Sequence, residues 1–180
     1  LTIINFYLGV PEMIKTKLLI GMIVSSVLFI SNYQLLFAQP FSIITVAGTG
    51  VQGYSGDNGL ATSARFYAPT GIMVDSTGDV YIADLSNNVI RVINSSGVIT
   101  TVAGNGTWGY TGDFGLATTA QLYGPYGVAV DSTGIMFIAD TTNYVIRKVN
   151  KSGIITTIAG TNVWGYSGDL GLATTAQLKS

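Results

Sequence analysis

Two aspartate–arginine pairs recur along this chain, and their charged side chains are the first candidates for chemistry. Asp84 and Asp140 each end an Ile-Ala-Asp run, and Arg91 and Arg147 follow them seven residues later. These short apolar runs have the pattern of β-strands, so the spacing predicts that each aspartate meets its arginine across neighbouring strands. We therefore interpret both pairs as structural ion pairs.

A second set of carboxylates lies in glycine-rich segments. Asp57, Asp113 and Asp169 each end a Gly-Tyr-x-Gly-Asp motif, and the three motifs are 56 residues apart. A calcium ion takes about six to eight oxygen ligands. One carboxylate in each segment supplies few of them, so the pattern favours a role in loop structure over a metal site.

Aromatic side chains in the same segments are the candidates for binding. Trp108 and Tyr110 recur as Trp164 and Tyr166, whereas the first segment has Gln52 at the tryptophan position. Loops on a rigid scaffold often carry function, and Trp and Tyr are preferred anchors of binding interfaces. The alternative is that they pack within the fold. The tyrosine, present in every copy, fits packing better, and the tryptophan fits binding better.

Three Asn-x-Ser/Thr sequences begin at Asn94, Asn105 and Asn150. In a eukaryotic secretory pathway they are acceptors for N-linked glycans. Asn94 and Asn150 also occupy the same predicted turn in successive copies, where asparagine is favoured for its backbone conformation alone. Both interpretations remain open from the sequence.

The composition excludes several classes of function. The 180-residue sequence has no histidine and no cysteine, and its formal net charge is −1. Histidine acid–base chemistry is therefore absent, and so is the basic surface that nucleic-acid binding requires. Catalytic sites break repeat symmetry, whereas the copies here are nearly alike, so we predict no enzymatic activity, no cofactor and no metal. The alternative is a lyase or hydrolase whose catalytic residues lie outside this sequence.

The elements that position these residues belong to a 56-residue repeat. Residues 43–98 and 99–154 align without gaps at 33 identical positions out of 56, and residues 155–180 begin a third copy. Each copy has four short runs rich in Val, Ile and Thr, separated by turns of Asp, Asn, Ser and Gly. Such runs predict four antiparallel strands followed by a longer connection to the next unit.

This layout predicts an all-β fold, a partial β-propeller of four-stranded antiparallel blades. The two complete blades are expected at residues 69–103 and 125–159, inside a propeller segment that spans residues 42–180. A lone strand of the fourth type is expected at residues 42–47, before the first blade.

The repeat resembles the NHL family. The resemblance rests on the pattern Gly-Pro-x-Gly-Val-Ala-Val-Asp-Ser-x-Gly at Gly124–Gly134 and on Ile-Ala-Asp-x-x-Asn-x-x-Ile-Arg-Lys-Val at Ile138–Val149. The segment Thr101–Asp113 is similar to a long-repeat subtype found in large extracellular proteins, such as the teneurin-like ones, and in bacterial secreted or sensor proteins. The resemblance implies a platform that binds proteins or other ligands. One branch of the family is a zinc lyase with histidine ligands, and this sequence has no histidine.

The N-terminal residues have the pattern of a targeting segment. Residues 13–38 begin with Met13 and two lysines, continue with an apolar run at residues 18–30 and end at Ala38, which is typical of a secretory signal peptide. Residues 1–12 are then an upstream extension. The alternative is an uncleaved membrane anchor, although a spanning helix needs about 20 apolar residues. The predicted location is therefore outside the cell, either secreted or on its surface.

A complete propeller ring has about four to eight blades, and two are expected here. The sequence therefore predicts that further blades or self-association must close the ring. The function that fits best is an extracellular binding or adhesion module, whose loops recognise a protein or another extracellular ligand. The alternatives are the enzyme mentioned above and the sensor domain of a membrane receptor.

Overall fold

The structure, a computed structural model, describes residues 43–179. The extension at residues 1–12 and the signal peptide predicted at residues 13–38 lie outside the described residues. Within residues 43–179, no helix is both long enough and apolar enough to cross a membrane.

The first blade is an antiparallel sheet in which four strands lie side by side in their order along the chain. A two-residue strand from the preceding segment is added beside the outermost strand, which gives the order β1-β5-β4-β3-β2. The strands are β1 (Gly59–Leu60), β2 (Pro69–Val74), β3 (Val80–Asp84), β4 (Val89–Ile93) and β5 (Val98–Ala103).

The second blade repeats this arrangement in the order β6-β7-β8-β9. A single bridge from Leu116 to Ile154 takes the place that β1 occupies in the first blade. The fold class predicted from the sequence is confirmed, since the described chain is all-β with two four-stranded antiparallel blades. The strands are β6 (Pro125–Val130), β7 (Met136–Asp140), β8 (Val145–Val149) and β9 (Ile155–Ala159).

Tight turns hold the strands of each blade in register. In the turn between β6 and β7, the carboxylate of Asp131 accepts hydrogen bonds from the backbone N–H groups of Thr133 and Ile135 and from the Thr133 hydroxyl. Asp75 makes the same bonds in the first blade. The hydrogen bonds donated by the threonine beside each aspartate help to lower the pKa of both carboxyls.

The predicted strand at residues 42–47 is wrong for the residues that the structure describes. Residues 43–47 have no strand conformation. A strand requires a partner for its backbone groups, and no strand within residues 43–179 lies beside this segment. Ala47 packs instead against the core of the first blade.

The glycine-rich connections at residues 48–68 and 104–124 form part of the core. Each contains a three-residue 3₁₀ turn with a buried alanine, at Ala61 in the first connection and Ala117 in the second. The second connection and strand β6 together fill the space between the blades. The apolar cluster there consists of Ala83, Ile90, Ala103, Ala117, Ala120, Leu122, Met136, Ile138, Val149 and Ile155.

Candidate functional site

Arg91 is fixed inside the first blade by backbone carbonyls of the first connection. It lies on β4 opposite Ile82 of β3, and its side chain is fully buried. Its NH1 donates to the carbonyl of Arg65 and its NH2 to the carbonyl of Ser55, both at 3.0 Å. The guanidinium therefore holds two separate parts of the connection against the strand.

Two carboxylates neutralise the charge of this buried guanidinium. Arg91 NH2 donates to Asp57 at 2.5 Å, and NH1 lies 3.9 Å from Asp84. The carbon of the guanidinium also lies 5.2 Å from the ring centre of Tyr54 and 5.1 Å from that of Phe66, which adds a cation–π attraction. The stronger pairing is thus with the connection rather than with the neighbouring strand.

Arg147 repeats the arrangement in the second blade. Its NH2 donates to Asp113 at 2.9 Å and to the carbonyl of Thr111 at 3.1 Å, and its NH1 donates to Asp140 at 3.4 Å. The guanidinium carbon lies 5.2 Å from the ring centre of Tyr110. We call these two groups, Arg91 with Asp57 and Asp84 and Arg147 with Asp113 and Asp140, the arginine clusters.

The inner carboxylate of each cluster is buried at the end of its strand and accepts hydrogen bonds from the residues around it. Asp84 accepts hydrogen bonds from the backbone N–H of Tyr67 and from the side chain of Asn87, both at 2.8 Å. Asp140 makes the corresponding bonds with Tyr123 and Asn143. Burial raises the pKa of both carboxyls above the ordinary aspartate value, and these hydrogen bonds and the arginine offset only part of the effect.

The pKa of Asp57, the more exposed carboxylate of the first cluster, is shifted in the opposite direction. Burial alone would raise its pKa, but hydrogen bonds from Thr101 and Arg91 outweigh that effect and hold the pKa of Asp57 below its usual value. The same environment raises the pKa of Tyr54, chiefly through burial. Asp57 is therefore ionised wherever the blade is folded near neutral pH.

These shifts predict how Asp57→Asn changes stability with pH. A carboxyl whose pKa is lowered by folding stabilises the protein above its unfolded value of 3.8, and the contribution disappears as the pH falls through the folded pKa. We expect the variant to be less stable than the wild type near neutral pH, with the difference shrinking on acidification below 3.8. Urea unfolding of both proteins at a series of pH values measures that difference.

The raised pKa of Asp84 has the opposite effect on the pH dependence of stability. Its contribution to stability grows as the pH falls through its folded pKa, because the folded state then takes up a proton more readily than the unfolded state. Most of this background arises from burial and is common to wild type and variant, whereas the smaller part that arises from the charge of Asp57 is lost in the variant. A difference that is independent of pH would show that Asp57 contributes nothing through its charge.

The contacts of the arginine clusters indicate a structural role. The two inner carboxylates are buried, and the polar contacts of each arginine go to its own connection and its own blade. Among residues 43–179, no group of three or more acidic, histidine or cysteine side chains is placed to hold a metal ion. Each cluster therefore ties a connection to the blade that follows it.

The aromatic residues predicted to bind fall into two groups. Tyr110 is half-buried against Arg147, and its hydroxyl shares a hydrogen bond of 2.9 Å with Thr157. It thus packs against the second arginine cluster. Trp108 is 68% exposed, and its ring centre lies 5.6 Å from that of Tyr123 at an angle of 42°. We call Trp108 and Tyr123 the aromatic pair.

In the third connection, residues 160–179, both predicted aromatic residues are exposed. Trp164 lies beneath Lys179, whose amino nitrogen is 5.7 Å from the ring centre. Tyr166 donates its hydroxyl to Asp169 at 3.1 Å. The tryptophan is therefore at the surface in both connections that contain it. Of the three tyrosines, Tyr110 is half-buried, whereas Tyr54 is 49% exposed although the Arg91 guanidinium lies 5.2 Å from its ring centre.

Sequence reasoning did not identify Tyr123 as a partner of Trp108. The signal was present, because the residue 15 positions after each tryptophan is Tyr123 in one copy and Lys179 in the next, and both can lie against an indole ring. A parallel bridge between Trp108 and Leu122 brings the two positions together.

The three asparagines of the glycosylation motifs are exposed, and each shapes a turn. Asn94 accepts hydrogen bonds from the backbone of Ser96 and Val98, and Asn150 accepts them from equivalent positions in the second blade. Asn105 accepts one from the backbone of Thr107. The turn role is thus visible for all three side chains.

The sequence of this chain is similar to those of several known proteins. The family model described as the teneurin NHL domain matches residues 43–111 and 106–178. Teneurin-3 of Danio rerio is 35% identical over 113 residues, covering 54% of this chain and 4% of that protein. Protein SUPPRESSOR OF QUENCHING 1, chloroplastic, of Arabidopsis thaliana is 32% identical over 97 residues, covering 53% of this chain and 9% of that protein. The chain thus spans less than a tenth of the length of either relative.

A solved structure shows the same fold. A protein of unknown function from Bacteroides thetaiotaomicron superposes with a TM-score of 0.56 at 24% sequence identity, covering 67% of this chain and 31% of that chain. At this level of identity the likeness concerns the architecture of the blades.

Proposed function

Because the chain belongs to the teneurin NHL domain family, we propose that it is an extracellular binding module whose propeller blades present loops to a protein partner. The observation that carries the proposal is the aromatic pair, Trp108 with Tyr123. A tryptophan that is 68% exposed beside a second aromatic ring has the composition of an interface anchor.

The backbone that carries the aromatic pair is held in place by other contacts, which strengthens this proposal. Trp108 precedes Tyr110 by two residues, and Tyr110 is packed on Arg147, so the backbone beneath the aromatic pair is fixed by the second arginine cluster. Anchors that are already ordered lose less conformational entropy on binding. Trp164 presents the same side chain 56 residues later, which offers a second contact of the same kind.

A binding role also agrees with how four of the five carboxylates of the two blades are used. Asp84 and Asp140 are buried in the arginine clusters, and Asp75 and Asp131 accept the hydrogen bonds of turns. General acid–base chemistry requires a carboxylate that a substrate can reach. In the two described blades these four carboxylates are committed to structure, which supports binding over catalysis.

The proposal is tested by exporting the chain from a secreting cell and measuring its binding. Protein recovered from the medium should begin at Gln39, after removal of residues 13–38. It should then bind at least one member of an array of extracellular protein domains, and Trp108→Ala should weaken that binding by about tenfold to several hundredfold. Trp164→Ala should weaken it less, because its ring lies against a lysine and not a second aromatic ring.

The matched control is Tyr110→Phe, which removes the hydroxyl bonded to Thr157 but keeps the ring over Arg147. This variant should bind as the wild type does. Retention of all the protein inside the cell would contradict the extracellular location, and full binding by Trp108→Ala would contradict the role of the aromatic pair.

A further inference from the structure

Two Asn-Gly sequences occur in this chain, at Asn58-Gly59 and Asn105-Gly106. The backbone nitrogen that follows an asparagine can attack the carbon of the side-chain amide. Glycine favours this reaction, because without a Cβ atom its backbone reaches conformations that other residues avoid. The two pairs have the same composition, so a difference in their reactivity must come from their surroundings in the fold.

The side-chain carbonyl of Asn105 is polarised for such an attack. The backbone N–H of Thr107 donates a hydrogen bond of 2.9 Å to Oδ1 of Asn105. A donor at that oxygen stabilises the negative charge that develops on it when the amide carbon is attacked. The same bond closes a turn through the side chain, which keeps the amide folded back towards the peptide bond of Gly106.

The nitrogen of Gly106 is accessible. Asn105 and Gly106 are both exposed, and within residues 43–179 no protein acceptor is bonded to the Gly106 N–H. A Cβ atom on Gly106 would meet only the carbonyl oxygen of Asn87, at 3.9 Å. The nitrogen can therefore lose its proton to solvent and reach the side chain of Asn105 without displacing a neighbour.

The surroundings of Asn58 oppose the same reaction. The backbone N–H of Asn58 donates to the carbonyl of Ile99 at 2.7 Å, and the N–H of Gly59 donates to the carbonyl of Gly56 at 3.0 Å. Gly59 also belongs to β1, which pairs with β5. The attacking nitrogen is thus already bonded, and moving it onto the side chain would separate β1 from the sheet.

From this contrast, we propose that Asn105 is a site of spontaneous deamidation in the folded protein and that Asn58 is protected from it. The Gly106 nitrogen gives its proton to solvent and bonds to the side-chain carbon of Asn105. The bond from that carbon to the amide nitrogen breaks, and the nitrogen leaves as ammonia, so that a cyclic succinimide remains. Water then opens the ring at either carbonyl and produces aspartate or isoaspartate. The net reaction consumes one water and releases one ammonia.

The product changes the contacts at the start of the second connection. Nδ2 of Asn105 donates to the carbonyl of Thr119 at 3.2 Å, and a carboxylate in its place would set an acceptor against an acceptor. Isoaspartate also lengthens the main chain at residue 105, whose N–H donates to Ala120. Deamidation thus adds a negative charge and weakens the anchoring of the backbone three residues before Trp108. The reaction goes beyond the proposed function, since it takes place whether or not the aromatic pair binds a partner.

Timed incubation of the folded 180-residue chain in mildly alkaline buffer tests the proposal. The chain is made in a bacterial host without N-linked glycosylation, because a glycan would block the amide of Asn105. Peptide mass spectrometry measures the conversion of amide to acid at each asparagine, and a protein isoaspartate methyltransferase labels isoaspartate. Asn105 should react about tenfold faster than Asn58 or more, since breaking the hydrogen bond of the Gly59 N–H raises the barrier at Asn58.

Two comparisons separate the effect of the fold from that of the local sequence. In concentrated urea the two Asn-Gly pairs should react at similar rates, because the contacts that distinguish them are lost. Asn94 has the same kind of turn, with its Oδ1 bonded to the N–H of Ser96, but Ser95 follows it instead of glycine. In the folded chain it should react about tenfold more slowly than Asn105 or less.

Three results would each overturn the proposal. Equal rates at Asn58 and Asn105 in the folded chain would show that the fold protects neither asparagine more than the other. A preference for Asn105 that persists unchanged in urea would assign the difference to the local sequence. Acid formed at residue 105 without isoaspartate would show that the reaction does not pass through attack by the Gly106 nitrogen.

Discussion

Arg147→Leu is expected to lower the free energy of unfolding by about 3–5 kcal/mol, because it removes one partner of a buried ion pair. Asp140 would remain fully buried without the guanidinium that lies 3.4 Å away. The backbone carbonyl of Thr111 would also lose its donor. Urea unfolding followed by circular dichroism measures the loss, at equal protein concentration for variant and wild type.

Two further variants show whether the loss comes from the buried charge. Lys148→Leu lies on the same strand and removes a charge from a half-buried position, so it should change stability by less than about 1 kcal/mol. Adding Asp140→Asn to Arg147→Leu should recover part of the loss, because the stranded carboxylate is then neutral. A loss from Arg147→Leu as small as that from Lys148→Leu would show that the second arginine cluster does not hold the blade together.

The arginine clusters show how far spacing in the sequence can predict a site. The interval of seven residues between Asp140 and Arg147 crosses a single tight turn, so local β geometry is enough to bring the two side chains near each other. Asp113 lies 34 residues before Arg147 in the sequence. That contact depends on how the second connection folds back on the blade, and strand patterns carry no information about it.

The aromatic residues illustrate the same limit. Sequence reasoning favoured packing for the tyrosines because every copy has one, and it favoured binding for the tryptophans because one copy lacks them. Tyr110 does pack on an arginine, and Trp108 is exposed. The contact of Tyr123 with Trp108 is harder to predict: the 15-residue interval recurs in the sequence, but a parallel bridge between irregular segments creates the contact.

The strand predicted at residues 42–47 failed for a related reason. Its sequence matches the fourth strands β5 and β9, so its composition is suited to a sheet. An edge strand exists only where a neighbouring strand satisfies its backbone groups, and the described residues place none beside it. By contrast, the hairpins within each blade are local, and the strands begin and end where the turn residues indicate.

Gly104→Ala is the second substitution with a large expected effect. The contacts of Gly104 explain why Ala-Gly recurs at the same position in each repeat. Gly104 has a φ of +86°, and a Cβ atom there would meet the carbonyl oxygen of Asn88 and lie 2.9 Å from the Cα of Val89. A left-handed backbone costs a side chain about 1–2 kcal/mol, and a steric clash adds about 1–3 kcal/mol. We therefore expect a total loss of roughly 2–5 kcal/mol in the free energy of unfolding.

Gly97→Ala separates the two causes. Gly97 has a φ of +75°, but nothing lies within 4 Å of a Cβ atom there, so only the backbone cost of about 1–2 kcal/mol should be measured. Chemical unfolding of the two variants beside the wild type gives the comparison. Equal losses would mean that backbone conformation alone requires glycine at position 104. A larger loss for Gly104→Ala would show that the connection must leave the blade through a gap beside Val89 too narrow for a methyl group. That passage directs the chain from β5 towards Trp108, so the glycine that ends each blade also positions the surface proposed to bind.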